Sequence, residues 1–372
     1  MLEIKIAGPT LPPVELFVNA VRSFYDTGVI TNGPVVRQLE IGVEDMLRVS
    51  HAVAVCNCTS GLMLALRCLG IKDKVAIPSF TFFATAHAVA WCGLEPVFVD
   101  VDEETWVMSP GALREVLSEA EGIEAVMPAH IFGNPCEVDA LREISEGHGL
   151  KVVYDSAHAM GSRVGEEWAG CFGDVEVFSM TPTKMVVAGE GGIITTGDGT
   201  LAGRLRAARN YGNTGDYDPE IIGLSARLSE FHAALAIESF KLMELNVRRR
   251  NALAQRYRDN LRDTPGIYFQ KIKEGNRSTF KDLTVRVVEE DFGMSRDALA
   301  ERLAEKGIET RKYFFPPVHR TKAYWEKYGK RYDDKLPVTN RLSGEALSLP
   351  MWSHMPEGVA DLVCEEIIGA RR

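Results

Sequence analysis

Lys184 is a nucleophile in an unusual setting. In FSMTPTKMVVAGEGGIITT (178–196), a β-prone run gives way to Ser179, Thr181 and Thr183 and then to Lys184. A glycine turn, Gly189-Glu190-Gly191-Gly192, leads into a second β-prone run, Ile193 to Thr196. A lysine between two strands can be aimed by a rigid scaffold, and glycine admits close backbone approaches barred to other residues. Taken alone, the segment is either a hairpin with a solvated lysine or a mount for a reactive amine.

Three other apolar runs end in residues able to do chemistry. AVAV (52–55) is followed by Cys56-Asn57-Cys58-Thr59-Ser60-Gly61 and a helical segment. Small hydroxylated residues there either cap the helix or offer amides, hydroxyls and the positive dipole end to an anion. KVAIP (74–78) ends in Ser79-Phe80-Thr81-Phe82-Phe83, aromatics suited to a core or to a stacking platform. VVYD (152–155) ends in Asp155, with His158 three residues on. A carboxylate closing an apolar strand is costly to bury without a cation, so it caps the next helix or faces a cationic ligand. An anion cradle, an aromatic face, a carboxylate with a nearby imidazole and one amine form the set that pyridoxal 5′-phosphate (PLP) requires. Asp155 would keep the pyridine nitrogen protonated, and Lys184, its pKa lowered by desolvation, would act as nucleophile and proton carrier.

The elements that must position these residues alternate in type. The strands expected are 52–55, 74–78, 96–100, 125–130, 152–155, 175–180 and 192–196, with helical segments such as Ser60 to Leu69 between them. Near-continuous apolar strands alternating with helices predict an α/β fold, a mostly parallel seven-stranded sheet covered on both faces. Ligands in such sheets bind beyond the carboxyl ends of the strands, where Thr59, Phe82, Asp155 and Lys184 fall. Before the sheet come helices over Val14 to Tyr25 and Val36 to Arg48, separated by a turn at Asn32-Gly33-Pro34. After it, a helical pattern runs unbroken from Ser229 to about Leu261, and a smaller α+β C-terminal domain follows. That domain is expected to hold strands at 283–288 and 308–313, a helix between Ser295 and Gly307, and further helices to the end. The domain boundary is placed at 245/246, giving a large cofactor-binding domain (1–245) and a small domain (246–372).

Composition narrows the function classes. With 372 residues, 45% apolar content and 25% charge, the chain reads as an ordinary globular protein of two unequal domains. A formal net charge of −10 argues against a general nucleic-acid binder. No apolar run approaches the ~18–20 residues that span a bilayer, and the N-terminus lacks the pattern of a signal peptide. The seven scattered cysteines read as reduced thiols in a cytoplasmic protein. Cys56-Asn57-Cys58 has the spacing of neither a redox CxxC nor a zinc knuckle, and no metal site is expected.

Motifs along nearly the whole chain resemble the DegT/DnrJ/EryC1/StrS family of fold-type-I aminotransferases. They include TNGPVVRQLE (31–40), CNCTSGLMLAL (56–66), PSFTFFATAHAV (78–89), EPVFVDVD (95–102), PAHIFGNP (128–135), YDSAHAMGS (154–162) and the lysine segment. RNYG (209–212), GLSARLSEFHAAL (223–235), PPVH (316–319) and LSLP (347–350) continue the series. The resemblance implies that Lys184 is the Schiff-base lysine, Asp155 the partner of the ring nitrogen and His158 a contact of the ring hydroxyl. Phe82 would stack on the ring, and Thr59, Ser60 and Ser179 would bind the phosphate. In the family a residue of the GxNxR segment reaches the partner subunit's phosphate. Here the segment is GLSAR, with Ser225 where asparagine is usual and a shorter reach, so the resemblance implies a homodimer with shared sites but a weaker contact across it. His319 matches a family histidine near the substrate entrance, Glu190 either approaches the sugar or only orders the glycine turn, and Tyr313 is a further substrate-side position. The implied reaction carries an amino group from an amino acid, glutamate above all, to a keto-sugar linked to a nucleotide.

Other readings lead elsewhere. Family members that dehydrate instead of transferring an amine have histidine at the lysine position, and Lys184 argues against that branch. Gly197-Asp198-Gly199-Thr200-Leu201-Ala202 passes as a GxGxxA dinucleotide fingerprint with Asp216 or Asp218 downstream, which would make the protein an NAD(P)-dependent oxidoreductase. A non-catalytic regulator that keeps the fold is a third reading. The Lys184–Asp155 combination favours an enzyme.

Overall fold

The computed structural model describes residues 3–371. Seven strands form the central sheet: β1 (His51–Val55), β2 (Lys74–Pro78), β3 (Glu95–Val99), β4 (Ile123–Val126), β5 (Lys151–Asp155), β8 (Val175–Ser179) and β9 (Gly192–Thr196). A two-stranded hairpin, β6 (Arg163–Val164) and β7 (Glu167–Trp168), intervenes. The sheet order is β1-β9-β8-β5-β4-β2-β3. β9 alone runs against its neighbours, pairing antiparallel with both β1 and β8. The expected mostly parallel sheet is therefore what forms.

Alternate residues of each strand enter two different cores, because successive side chains point to opposite faces. Ala52, Ala54, Tyr154, Phe178 and Ile193 face helices α1 (Val14–Tyr25), α2 (Pro34–Leu47) and α8 (Glu230–Phe240). Val53, Val55, Val153, Val177 and Ile194 face α3 (Cys58–Leu69), α4 (Phe83–Trp91) and α7 (Gly199–Ala208). Helices α5 (Pro110–Glu119) and α6 (Val138–His148) complete the layer over the strands that precede β6. Burial on both faces explains why the strands read as unbroken apolar runs.

The TNGP turn gains a structural explanation. Glu230, fully buried at the start of α8, accepts hydrogen bonds from the N–H groups of Gly33, Val35 and Val36 at 2.8–3.0 Å. One carboxylate thus satisfies the free amides at the start of α2, where Pro34 needs no donor.

Some expected boundaries move. The helical pattern from Ser229 to Leu261 is two helices, α8 and α9 (Met243–Leu261). Leu242 breaks the ladder by donating to the Ser239 carbonyl three residues back, while Phe240 and Met243 stay buried on either side and keep the apolar pattern intact. The strand expected over 125–130 ends at Val126, since Pro128 has no N–H to pair. The strand expected over 308–313 is absent: Ile308 and Arg311 make only single bridges, to Ile4 and Ser348. The small sheet is instead β10 (Ile267–Phe269), β11 (Leu283–Val287) and β12 (Ala346–Leu349), all antiparallel. Its core joins Leu253, Tyr257 and Leu261 of α9 to Val285, Leu347 and Ile4. The N-terminal arm thus packs on the C-terminal half, tied by Ile4 N–H to the Gly307 carbonyl and by Met351 N–H to the Ile6 carbonyl.

Candidate active site

Lys184 sits between β8 and β9, which are antiparallel neighbours, in the loop beyond the carboxyl end of β8. The loop is anchored from below. Ala188 N–H donates to the Met180 carbonyl, and Val187 N–H to Ser239 Oγ of α8. Lys184 therefore turns into a cavity of about 150 Å3 rather than into solvent. Thr59, Phe82, Asp155, His158 and Ser179 line the same cavity. Residues drawn from four separate strand ends thus meet at one place. Larger grooves lie elsewhere, one of about 710 Å3 at Lys74 and Glu95. Those residues open β2 and β3, the end of the sheet away from the cluster.

Asp155 is 7% exposed, yet no ion pair neutralises it among the described residues. Its Oδ2 accepts from Thr85 Oγ1 at 2.7 Å and its Oδ1 from Ala157 N–H at 3.1 Å. Two such bonds return about 1.5–3 kcal/mol each, against a desolvation cost of several kcal/mol for the carboxylate. A cationic ligand in the cavity would add to these two bonds. Lys184 shows the complementary strain: burial, then repulsion from Lys281, lowers its pKa from 10.5 to about 8.

His158 is oriented by the backbone. Phe132 N–H donates to its Nδ1 at 3.1 Å, so the ring proton resides on Nε2. Burial, followed by repulsion from Lys184 and Lys281, holds its pKa well below 6.5. The ring is a neutral imidazole that presents an N–H donor, as the amide of a glutamine would.

At the start of α3, the N-cap is Asn57, whose Oδ1 accepts from Ser60 N–H at 2.8 Å. That bond uses the Ser60 amide and leaves the Cys58 and Thr59 amides without a backbone partner at the helix start, and both residues line the cavity. Ser60 itself does not line the cavity; its hydroxyl lies 3.7 Å from Cys56 Sγ. The glycine turn supports this cradle from behind. A Cβ on Gly192 would stand 2.8–2.9 Å from the backbone of Asn57 and Cys58, so β9 lies flush against the α3 turn only because residue 192 is glycine. Gly192 serves the helix start.

The remaining expected residues are not gathered here. Ser225 is exposed in a bridge with Asn210, and Glu190 is exposed beyond the cavity. Tyr313 is half-buried near Arg311 and Asp282. His319 departs from its expected position at a substrate entrance. It is fully buried, its Nδ1 is 2.7 Å from Ser79 Oγ, and Val318 N–H donates to the Ser79 carbonyl. After Pro316-Pro317 the chain turns inward, and His319 ties that turn to the end of β2. Burial pushes its pKa down to about 4.

Sequence reasoning missed a supporting layer. Thr85, bonded to Asp155, is four residues after Thr81, and the two hydroxyls are 2.9 Å apart. His130 donates its backbone N–H to the Asp155 carbonyl, accepts from Cys136 N–H at Nδ1, and stacks on Tyr154. Its Nε2 lies 3.6 Å from Glu176, a fully buried carboxylate that also accepts from Ser156 Oγ, Gly170 N–H and Phe172 N–H. The glutamate inside VEVFS was the available signal, the same kind that drew attention to Asp155.

The dinucleotide fingerprint has no site. Asp198 caps α7 with its own carboxylate, accepting from Thr200 and Leu201 N–H, which occupies the amides a diphosphate would need. Because β9 is reversed, this turn also lies beside His51, at the amino end of β1.

Residues 14–368 match the model of the DegT/DnrJ/EryC1/StrS aminotransferase family. A Shigella dysenteriae dTDP-4-amino-4,6-dideoxy-D-glucose transaminase is 31% identical over 366 residues, covering 98% of each chain. The Escherichia coli protein of the same name is 28% identical, again over 98% of each. Among solved structures, DesI determined in the presence of its TDP-sugar product superposes with a TM-score of 0.92 at 33% identity, covering 98% of this chain and 92% of that one. S. venezuelae DesV, solved in complex with a ketimine intermediate, superposes at 0.90 and 32%, covering 96% and 94%. The chain belongs to the DegT/DnrJ/EryC1/StrS aminotransferase family.

Proposed function

We propose that this protein is a PLP-dependent aminotransferase that moves the amino group of an α-amino acid, glutamate first among them, to a nucleotide-linked keto-sugar. The observation that carries this reading is the pairing of an un-neutralised buried carboxylate, Asp155, with a lysine of lowered pKa, Lys184, in one cavity. The donor set fits PLP. Thr59, Ser179 and the first amides of α3 would hold the phosphate, Phe82 would cover the ring, and Asp155 would meet the ring nitrogen. His158 would donate Nε2–H to the ring hydroxyl. When bound, the cofactor supplies an aldehyde for amines and a ring that withdraws electrons from the adjacent carbon. Lys184 does the rest: with a pKa of about 8, its Nζ is neutral often enough near neutral pH to attack as an amine. Once displaced, it takes a proton from the donor's α-carbon and later returns one to the sugar carbon.

The Shigella dysenteriae and Escherichia coli relatives are 4-amino-4,6-dideoxyglucose enzymes, which makes a dTDP-linked 4-keto-6-deoxyhexose the first acceptor to test. In this reading residues 1–245 carry the cofactor and 246–372 close the substrate side, with Glu190 and Tyr313 at its edge. Ser225 would work across a homodimer. A reducing, cytoplasmic setting agrees with the seven free cysteines. Among the described residues, no helix is long and apolar enough to cross a membrane.

Purified protein supplied with PLP is expected to show a visible absorption band and a borohydride-reducible adduct at Lys184, and Lys184→Ala to lose both while staying folded. Adding glutamate should bleach the band, and adding the dTDP-linked keto-sugar should restore it as aminated sugar appears. A wild-type protein that forms no band and no adduct would sink the reading.

A further inference from the structure

A second pair of buried charges stands beside Asp155 and Lys184. Lys281 and Asp282, consecutive residues just before β11, are each 6% exposed. Lys281 Nζ folds back onto both oxygens of Asp282, at 2.8 and 3.0 Å. The backbone that carries them is fastened to the site. Lys281 N–H donates to the Phe132 carbonyl at 2.9 Å, and Thr279 Oγ1 to the His158 carbonyl at 2.6 Å. From the other side, Arg250, fully buried, donates to the carbonyls of Phe280 and Lys281. The Lys281 ammonium lies 5.8 Å from the centre of the Tyr313 ring and near enough to repel both Lys184 and His158.

As a structural device the pair is poor. Burying two charges costs more than one contact returns unless further hydrogen bonds satisfy the remaining donor and lone pairs. Here each side chain's only hydrogen-bonding partner, among the described residues, is its sequence neighbour. An apolar pair of the same volume would fill the space at no loss.

The aminotransferase reading supplies a reason for the pair, and the role assigned to Lys281 rests on that reading. One cavity must accept two unlike substrates in turn. The amino donor carries a carboxylate on the carbon that reacts, whereas the sugar's reacting carbon lies in a neutral ring. The carboxylate needs a cation, yet the cavity lining contains no arginine and no lysine but Lys184, whose amine is committed to the transfer, so the cation must come from just behind the lining, where Lys281 is tied to Phe132. A cation left bare would be costly whenever the sugar, or nothing, is bound. A lysine held closed on a neighbouring carboxylate avoids that cost, and it opens when a better-placed anion arrives. We propose that Lys281 is the receptor for the α-carboxylate of the amino donor, and that Asp282 is the internal counter-ion it exchanges for that carboxylate.

The test separates the two half-reactions in the PLP-loaded protein, using loss of the visible band with an amino acid and its recovery with the keto-sugar. Lys281→Met alone would strand a buried carboxylate, so Lys281→Met/Asp282→Leu is made beside it. In both variants the half-saturating concentration of glutamate should rise by about 30-fold or more, the scale of a lost charged hydrogen bond. L-alanine, which has no second carboxylate, should suffer the same loss. The sugar half-reaction should keep its half-saturating concentration. Glutarate, a carboxylate with no amine, should perturb the wild-type band and bind more tightly to Asp282→Asn, whose lysine is no longer held. Equal loss in both half-reactions, wild-type behaviour of the double variant, or a loss confined to glutamate would each overturn the assignment. A wild-type protein whose band no amino acid bleaches would sink the aminotransferase reading, and the assignment with it. A competent wild type with an equally competent double variant would sink the assignment alone.

Discussion

Lys184 pairs with no protein carboxylate among the described residues, and the cofactor-free protein should register that in its stability. Its pKa falls from 10.5 to about 8 on folding. Between those values the unfolded chain binds one more proton at this position than the folded one, so stability should climb as pH rises from about 8 toward 10.5. Below pH 8 the whole penalty is present, roughly 3 kcal/mol for a shift of this size. Lys184→Met is therefore expected to make the cofactor-free protein more stable at pH 7, with an advantage that fades toward pH 10. Denaturant melts at the two pH values would check this, and an unchanged midpoint at pH 7 would show that the lysine is not strained. At this scale the site was legible where a residue contradicted its surroundings. Asp155 closes an apolar strand, and Lys184 interrupts two of them. Thr85 and Lys281 contradict nothing locally: a threonine in a helix and a Lys-Asp pair before a strand are ordinary, and only the fold brings them to Asp155 and Lys184. His319 shows the converse, since a histidine after two prolines reads as exposed until tertiary packing takes it inside.

At the scale of elements, the seven strands and the first two helices were legible because burial on both faces leaves few polar residues to blur a run. Direction was not legible. Nothing in Ile193 to Thr196 says that β9 runs against β8, a choice made by the loop that folds back on Met180 and Ser239. β12 was missed because Ala346–Leu349 follows a helix with no turn residue between, and its pairing with β11 sets Leu347 against Val285, far away in sequence. The close fit of β9 against the α3 turn carries a prediction of its own. In Gly192→Ala the new methyl would meet backbone of Asn57 and Cys58 at 2.8–2.9 Å, and backbone cannot swing aside as a side chain can. The strand or the turn must shift, at a cost of about 1–3 kcal/mol. Because the turn is the proposed phosphate cradle, PLP affinity should fall as well. Gly197→Ala, at the far end of the same strand with nothing within 4 Å, is the control and should change neither. Equal PLP titrations for both variants would detach Gly192 from the site.

At the scale of the whole molecule, the proposed homodimer bears on the surface left uncovered in one chain. Helix α1 is apolar on two sides. Phe17, Val21 and Phe24 pack on the core under α8, while Val14, Val18 and Tyr25 are exposed at 62%, 40% and 63%. Val29 and Ile30, also exposed, extend the patch toward the TNGP turn. Exposed apolar side chains clustered in this way are expensive in water and are what the proposed homodimer would cover. Ser225, exposed in GLSAR, is the residue that the proposed homodimer would bring to the partner's phosphate site. Val18→Asp/Tyr25→Asp should therefore convert the protein to monomers, seen by sedimentation, without unfolding it, since neither side chain belongs to the core. If the partner completes the phosphate site, the monomer should bind PLP at least tenfold more weakly, about 1.4 kcal/mol, the scale of one lost hydrogen bond. Ser225→Ala, still dimeric, should show part of that loss, while Ser225→Asn, with its longer reach, should tighten PLP binding by more than Ser225→Ala weakens it. A monomeric variant with undiminished PLP affinity and turnover would mean that each chain holds a complete site, and that the exposed strip serves assembly alone.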